Sequence, residues 1–222
     1  MKKLILIFFS SISISVYGQI HMIGIQGGLN MTNLTAKETF NDTRYRNGAL
    51  IGFNYEFLLS SKMSLETDVL FSQQGFKDKI IFTDAMGNPL GENDNFKFNY
   101  DYLIIPLKIG YSFGEKYKIT PRIGICPSII LNAKTTLPTF DIDGNQTGSE
   151  TLDVKNKVSK LDLSGLIEIE GAYAFSNNLE LFSSIEYRHS ITTFSNDDYF
   201  KESKMRHFGF SLSVGLKIKL KK

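Results

Sequence analysis

The chain holds a single cysteine, Cys126, no tryptophan and only five prolines in 222 residues. One thiol excludes an internal disulfide, so an exported protein of this composition must draw its stability from elsewhere. Neither sign of charge dominates. The 25 lysines and arginines against 23 aspartates and glutamates leave a formal charge of +2. A basic face of the kind that binds nucleic acid is therefore not expected, and neither is a nucleic-acid partner. Beyond the first residues, no apolar run approaches the roughly 20 residues that a helical membrane span requires. The length fits one domain.

The opening is different in kind. Met1-Lys2-Lys3 precedes the apolar run Leu4 to Phe9, and a serine/isoleucine stretch leads to Val16-Tyr17-Gly18. Basic residues, a short apolar core and a small residue read as a secretory signal peptide over 1–18, with Gln19 as the mature N-terminus. The apolar run is too short to be an anchor. Removal of 1–18 takes away two lysines and leaves 19–222 without net charge.

What is abundant is alternation. There are 18 phenylalanines, 10 tyrosines and 18 glycines, and period-two patterning recurs eight times. Strands are expected at about Ile20–Asn30, Gly48–Leu59, Met63–Phe76, Phe96–Phe113, Tyr117–Ala133, Lys160–Phe175, Leu179–Ile191 and Arg206–Leu220. Strand eight shows the pattern most cleanly: Phe208, Phe210, Leu212, Val214, Leu216, Ile218 and Leu220 alternate with Gly209, Ser211, Ser213, Gly215, Lys217 and Lys219. Each segment meets the 9–11 or so residues of a tilted membrane strand. Links after strands two, four and six are tight (60–62, 114–116, 176–178). Those after strands one, three, five and seven are long (31–47, 77–95, 134–159, 192–205) and rich in Asn, Asp, Thr, Lys and Gly, which predicts solvated, mobile loops. Short inner turns, long outer loops and an even strand count predict an all-β fold, an eight-stranded antiparallel up-and-down transmembrane β-barrel over 19–222 with both termini in the periplasm. Pro106, Pro121 and Pro127 fall inside expected strands, and each predicts a bulge or a strand end.

Two barrels share this pattern. A lipocalin-like soluble barrel turns its apolar face inward around a ligand; a membrane barrel turns it outward and keeps a polar lumen. The polar face carries Glu56, Glu66, Asp68, Asp162, Glu168, Glu170, Glu180 and Glu186 against Lys108, Lys118, Arg122, Arg188, Lys217 and Lys219, with glycine and serine between. Small residues among charges of both signs suit a narrow, filled lumen, in which buried charges must pair. A lumen charge network of Glu56, Glu66, Asp68, Lys108, Arg122, Asp162, Glu168, Glu170, Glu186, Arg188 and Lys217 is expected. Because an eight-stranded interior just holds side chains, a diffusion pore is not. Tyr55, Phe57, Tyr111, Phe113, Tyr117, Tyr173 and Phe175 share the apolar parity and flank the short turns, as a periplasmic aromatic belt would. Both signs point to the membrane barrel, in contact with outer-membrane lipid.

Candidate chemistry is sparse. His21 and His207 fall at opposite ends of their strands, which does not assemble a metal site. Cys126 shares its face with Arg122 and Ser128, but no histidine stands at its level to act as base, so a small buried filler is expected. Asp141-Ile142-Asp143-Gly144-Asn145 has the spacing of a calcium loop without the distal glutamate or the flanking helices, and is read as a turn. No catalytic residue, cofactor or metal is expected, and the chain is not read as an enzyme.

Several short motifs resemble the PorT-like family of outer-membrane β-barrel proteins. They are Gly24-Ile25-Gln26-Gly27-Gly28-Leu29-Asn30, Tyr102-Leu103-Ile104-Ile105-Pro106-Leu107-Lys108, Gly124-Ile125-Cys126-Pro127-Ser128 and Asp162-Leu163-Ser164-Gly165. The resemblance implies an integral outer-membrane barrel of eight strands. Some family members are implicated in protein secretion to the cell surface. The function expected is that of a structural or interaction component of the cell envelope, with partners met through outer loops or periplasmic turns. A soluble carrier of an apolar ligand and a membrane-embedded enzyme acting on lipid or peptide are the alternatives.

Overall fold

The computed structural model describes residues 20–36, 43–78, 86–87, 96–141, 146–195 and 204–220. The expected signal peptide, 1–18, lies outside the described residues, as do 142–145 of the calcium-like turn. The strands are β1 (Ile20–Thr35), β2 (Thr43–Leu58), β3 (Met63–Asp78), β4 (Phe96–Ile104), β5 (Leu107–Tyr111), β6 (Tyr117–Phe140), β7 (Gln146–Asp153), β8 (Leu161–Ala174), β9 (Leu179–Ser190) and β10 (Arg206–Leu220). Neighbouring strands pair antiparallel, with β4 and β5 forming one interrupted strand between β3 and β6, and with β8 pairing β6 while β7 pairs β6 off the ring. β1 pairs with β10 from His21↔Leu220 to Thr35↔Arg206, which closes a ring of eight. Closure leaves no edge within the ring, so every ladder is satisfied by a neighbour.

The apolar side faces out. Ile167 is 57% exposed and Leu212 53%, while Lys217 on the opposite parity is 0% exposed. That distribution inverts the one a lipocalin-like carrier needs, and the soluble-carrier alternative falls with it.

Three expectations are corrected. Strands one and two run further than 20–30 and 48–59, to Thr35 and back to Thr43. The segment 134–159, expected as a mobile loop, is in large part a hairpin: β6 continues to Phe140 and pairs with β7 from Lys134↔Asp153 onward. Thr135, Thr136, Thr139, Thr147 and Thr151 make this segment β-forming, and the Thr136 and Thr151 hydroxyls lie 3.2 Å apart across the pair. Pro121 and Pro127 do not interrupt β6 at all. Ile119 exchanges both backbone hydrogen bonds with Phe113. By alternation, Pro121 and Pro127 point their backbone toward the same neighbour. There β5 has ended at Tyr111, and the ladder lapses between Ile104 and Leu107. The missing N–H groups fall where the β4/β5 strand offers no regular partner. Pro106 does cause the expected break, and Ile105 N–H still donates to the Pro127 carbonyl at 2.9 Å.

Two glycines are dictated by the backbone. Gly75 has φ +141°, and a Cβ there would stand 1.9 Å from the Phe98 carbonyl oxygen. Gly24 on β1 faces the lumen, where a Cβ would lie 2.2 Å from Asn54 Oδ1 and 3.1 Å from Lys217 Cγ. The bare backbone at Gly24 leaves room for the Lys217 stem.

Candidate functional site

The lumen has two halves. In the half next to the short turns, charged groups from six strands converge. Lys217 Nζ on β10 contacts Glu56 Oε2 at 2.7 Å, Glu66 Oε2 at 2.6 Å and Glu170 Oε2 at 2.9 Å. Arg122 on β6 reaches Glu56 at 3.1 Å, Glu66 at 3.2 Å, Glu168 at 3.2 Å and Glu170 at 3.0 Å. Lys108 on β5 contacts Glu66 at 2.6 Å, Asp68 at 2.8 Å and Glu168 at 3.1 Å. These pairs cross the barrel from β2 and β3 to β6, β8 and β10. Glu56, Glu66 and Glu170 come close enough to hold a metal ion, but the Lys217 ammonium sits among them and supplies the positive charge itself. Unpaired, each buried charge would cost several kcal/mol; shared contacts offset that penalty.

Not every residue of the expected network joins it. Glu186 pairs separately with Arg188, Oε1 to Nε at 2.7 Å. Arg188 also donates toward Ser211 Oγ at 3.3 Å and Asn30 Oδ1 at 3.5 Å. Asp162 accepts hydrogen bonds from Ser190 at 2.7 Å and Thr192 at 2.5 Å, with no ion pair among the described residues. Cys126 is buried; Ser128 Oγ and Arg188, rather than Arg122, lie 3.8 Å from its sulfur.

The outer half holds a large apolar cluster, which the sequence reading missed. Leu34, Leu70, Phe76, Phe98, Tyr100, Tyr102, Ile104, Ile130, Val154, Val158, Leu166, Phe194 and Met205 form one buried cluster. Much of it comes from β4, whose inward residues Phe98, Tyr100, Tyr102 and Ile104 are apolar or aromatic. An apolar run on the polar parity of one strand was the available signal. Leu34, Leu70, Phe76, Ile130 and Leu166 come from other ring strands, and Val154, Val158, Phe194 and Met205 from segments outside the ring. Phe194 N–H donates to the Met205 carbonyl at 3.1 Å, and Ser159 N–H to the Phe194 carbonyl at 2.7 Å. The Phe194 ring stacks on His207 at 4.1 Å, and Tyr100 meets His207 edge-on at 5.3 Å. Phe76 stacks on Phe98 at 4.1 Å.

The three histidines stand apart. His207 is in the outer lumen. His21, at the other end of the β1–β10 pair, has Nδ1 2.7 Å from the Tyr55 hydroxyl on the outside. His189 lies outside near Tyr187, at 3.3 Å. The aromatics beside the short turns all face outward. Tyr117 meets Tyr173 at 5.0 Å, Tyr111 meets Phe113 at 5.0 Å and Tyr173 meets Phe175 at 6.4 Å. Tyr55, Phe57 and His21 form the corresponding group on β1 and β2. A second aromatic group, not foreseen, lies toward the outer ends of β9 and β10: Tyr187 with Phe210 at 5.0 Å and His189 with Phe208 at 6.2 Å.

A closed eight-stranded barrel with an exposed apolar belt and a filled, charged interior defines an integral outer-membrane protein in contact with lipid. The comparisons agree. The family model described as outer membrane protein beta-barrel domain matches residues 19–222, and the chain belongs to that family. Among solved structures it is similar to the outer membrane protein OprG from Pseudomonas aeruginosa, at 8% identity and a TM-score of 0.52, over 92% of this chain and 97% of that one. It is also similar to a major outer membrane protein from Thermus thermophilus, at 12% identity and a TM-score of 0.50, over 90% and 99% respectively. At these identities the likeness shows the fold. No curated protein matches the chain.

Proposed function

We propose that this barrel neither conducts nor catalyses, and that it serves the envelope as a structural or interaction component through its outer segments. The observation that carries this reading is the lumen, filled by ion pairs at one end and by packed aromatics at the other. The carboxylates that could serve as acid or base, Glu168 and Glu170 among them, are engaged with Arg122, Lys108 and Lys217. Among the described residues, the β6–β7 hairpin offers an outer surface to partners, with every β7 residue exposed. The motifs shared with the PorT-like family support a finer reading, a link to protein secretion. Within them, Asn30 is wholly buried and holds Ser72 at 2.8 Å and Ser211 at 2.6 Å. Residues 1–18 serve as the export signal in this reading, and the aromatics beside the short turns as its periplasmic belt.

Reconstitution in planar bilayers tests the lumen: no unitary conductance steps are expected, and stable steps would overturn the plug. A photo-crosslinker at Ser149 of β7, in living cells, is expected to yield a discrete adduct that a crosslinker at Ser60 in a short turn does not. Absence of any adduct from the outer segments would remove the interaction role. Purified outer-membrane protein should begin at Gln19.

A further inference from the structure

We infer that the β6–β7 hairpin takes up an extended peptide segment of a partner protein as an added antiparallel strand along β7, and that the segment it fits reads apolar residue, any residue, lysine or arginine. This rests on the reading of the outer segments as an interaction surface. β7 pairs with β6 alone; among the described residues no strand runs along its other side. The hairpin rises above the apolar band. Among the described side chains, the last exposed apolar residue of β6 is Leu131, and pairing with β7 starts beyond it at Lys134↔Asp153. One bond gives the direction of the backbone groups. Val154 N–H donates to the Ala133 carbonyl at 3.0 Å. By alternation Leu152 and Glu150 also turn their N–H and C=O groups to β6, whereas Asp153, Thr151 and Ser149 turn theirs to the open side. The other edge of the hairpin is not equivalent. There Lys134 and Thr136 turn to β4, which begins at Phe96. The next residue of that set is Pro138, which has no N–H to offer a newcomer. Proline blunts that edge, while β7 carries neither proline nor lysine and keeps its edge open to pairing.

The side chains of β7 set the sequence of the guest. In an antiparallel strand added to β7, the residues opposite Glu150 and Leu152 form the pairs without mutual hydrogen bonds, in which side chains come closest. Glu150 is exposed and lies across from Leu137 in β6, with no ion pair among the described residues. Leu152 on the same face is 39% exposed. A cation opposite Glu150 and an apolar group opposite Leu152 satisfy both, and antiparallel order puts the apolar residue first. A second copy of β7 brings carboxylates and no cation, so the fit is to a different chain.

The test uses the full barrel in phosphatidylcholine nanodiscs, with empty nanodiscs as blank, and a dye-labelled synthetic peptide, acetyl-Thr-Ile-Thr-Lys-Thr-amide, followed by fluorescence polarisation. Saturable binding to the barrel is expected. Methylating the three threonine nitrogens, whose N–H groups face β7 in the added strand, should weaken binding roughly 10-fold or more, the loss expected of two or three backbone hydrogen bonds. Methylating the isoleucine and lysine nitrogens, which face away, should leave it unchanged. The reversed peptide, Thr-Lys-Thr-Ile-Thr, should bind less well, and Glu150→Lys should shift the preference to a peptide with glutamate in place of the lysine. Ser149→Pro/Thr151→Pro removes two donors of the open side and should reproduce the loss while the Glu150 and Leu152 amides keep their slow exchange. If that variant opened the hairpin instead, the methylated peptides would still decide, since they leave the barrel untouched. Equal binding of the two methylated peptides, or no binding of the parent peptide, would overturn the strand pairing. A discrete adduct from the crosslinker at Ser149 in living cells would then leave the interaction role standing, so the two can fail separately.

Discussion

The half of the lumen beside the short turns is filled by Glu56, Glu66, Asp68, Lys108, Arg122, Glu168, Glu170 and Lys217, whereas the outer half is filled by Phe76, Phe98, Tyr100, Tyr102, Phe194 and Met205. Both fill the interior of the ring with side chains, but they differ in what they fix. Ion pairs are directional and tie strands on opposite walls, β2 and β3 to β6 and β10, so they hold the cross-section of the ring. Apolar packing is non-directional, and here it recruits residues from beyond the ring: Phe194, Met205, Val154 and Val158. The first half belongs to the barrel; the second couples the barrel to its outer segments.

The sharpest way to break this contrast is Lys217→Met. Glu56, Glu66 and Glu170 would be left converging on an apolar side chain, with Arg122 shared among all three and Lys108 still on Glu66. Removing one partner of a buried ionic group costs about 3–5 kcal/mol. The urea midpoint, followed by the heat-dependent gel mobility of the folded barrel, should fall accordingly. A change under about 1 kcal/mol would mean that the charged half does not hold the ring.

Phe194→Ala strikes the other half. Deleting a buried phenylalanine from a core costs about 3–5 kcal/mol when the whole structure depends on it. Phe194 lies outside the ring, so the loss should appear as local opening. Amide exchange at Ser159 and Phe194, whose backbone groups are bonded in this segment, should accelerate, while the urea midpoint moves less than for Lys217→Met. An equal fall in both would show the two halves to be one cooperative unit.

The ring and its outward apolar face were readable because a period of two, sustained over eight segments, reports which side of a strand meets which environment. The charged half was readable for the same reason: Glu56, Glu66, Glu168, Glu170 and Lys217 occupy the polar parity close to the short turns, and burial forces them to pair. Alternation does not report how high in the barrel a residue stands or which wall it faces. Asp162, Glu186 and Arg188 share that parity yet stand away from the eight-residue network. The apolar cluster of the outer half was hidden because β4 carries its apolar residues, Phe98, Tyr100, Tyr102 and Ile104, on the parity that is polar in the other strands, with Lys97, Asn99 and Asp101 on the outward one. Phe194 and Met205 carry no periodic signal, since they lie in connecting segments. The β6–β7 hairpin was hidden by its polar composition, which reads as loop although its threonines favour strand.

Gly75→Ala probes the junction between the halves. The residue sits where β3 passes from Ser72 and Gln74 to Phe76. Thr32 Oγ1 donates to its carbonyl at 2.8 Å and accepts from its N–H at 2.9 Å. A methyl group must displace the Phe98 backbone from a residue already at positive φ, a strain of about 1–3 kcal/mol. Destabilisation in that range is expected, with faster exchange around Phe98. A neutral result would show that the β3–β4 pairing yields freely at this height.

The smallest effect should come from the ion pair nearest the short-turn opening. Lys118 contacts Glu180 with side-chain exposures of 26% and 7%, against 2% and 5% for Lys108 and Glu168. Water reaches the first pair and screens it, so a double-mutant cycle of Lys118→Met and Glu180→Gln should give at most about 1 kcal/mol, shrinking as salt is raised. The corresponding cycle for Lys108→Met and Glu168→Gln should be larger and indifferent to salt, because the low-dielectric interior excludes counterions. If the two cycles gave the same energy and the same salt dependence, the charged half would be a wetted channel with ions passing among its side chains, and the division of the lumen into a sealed ionic half and a sealed apolar half would fail at its inner end.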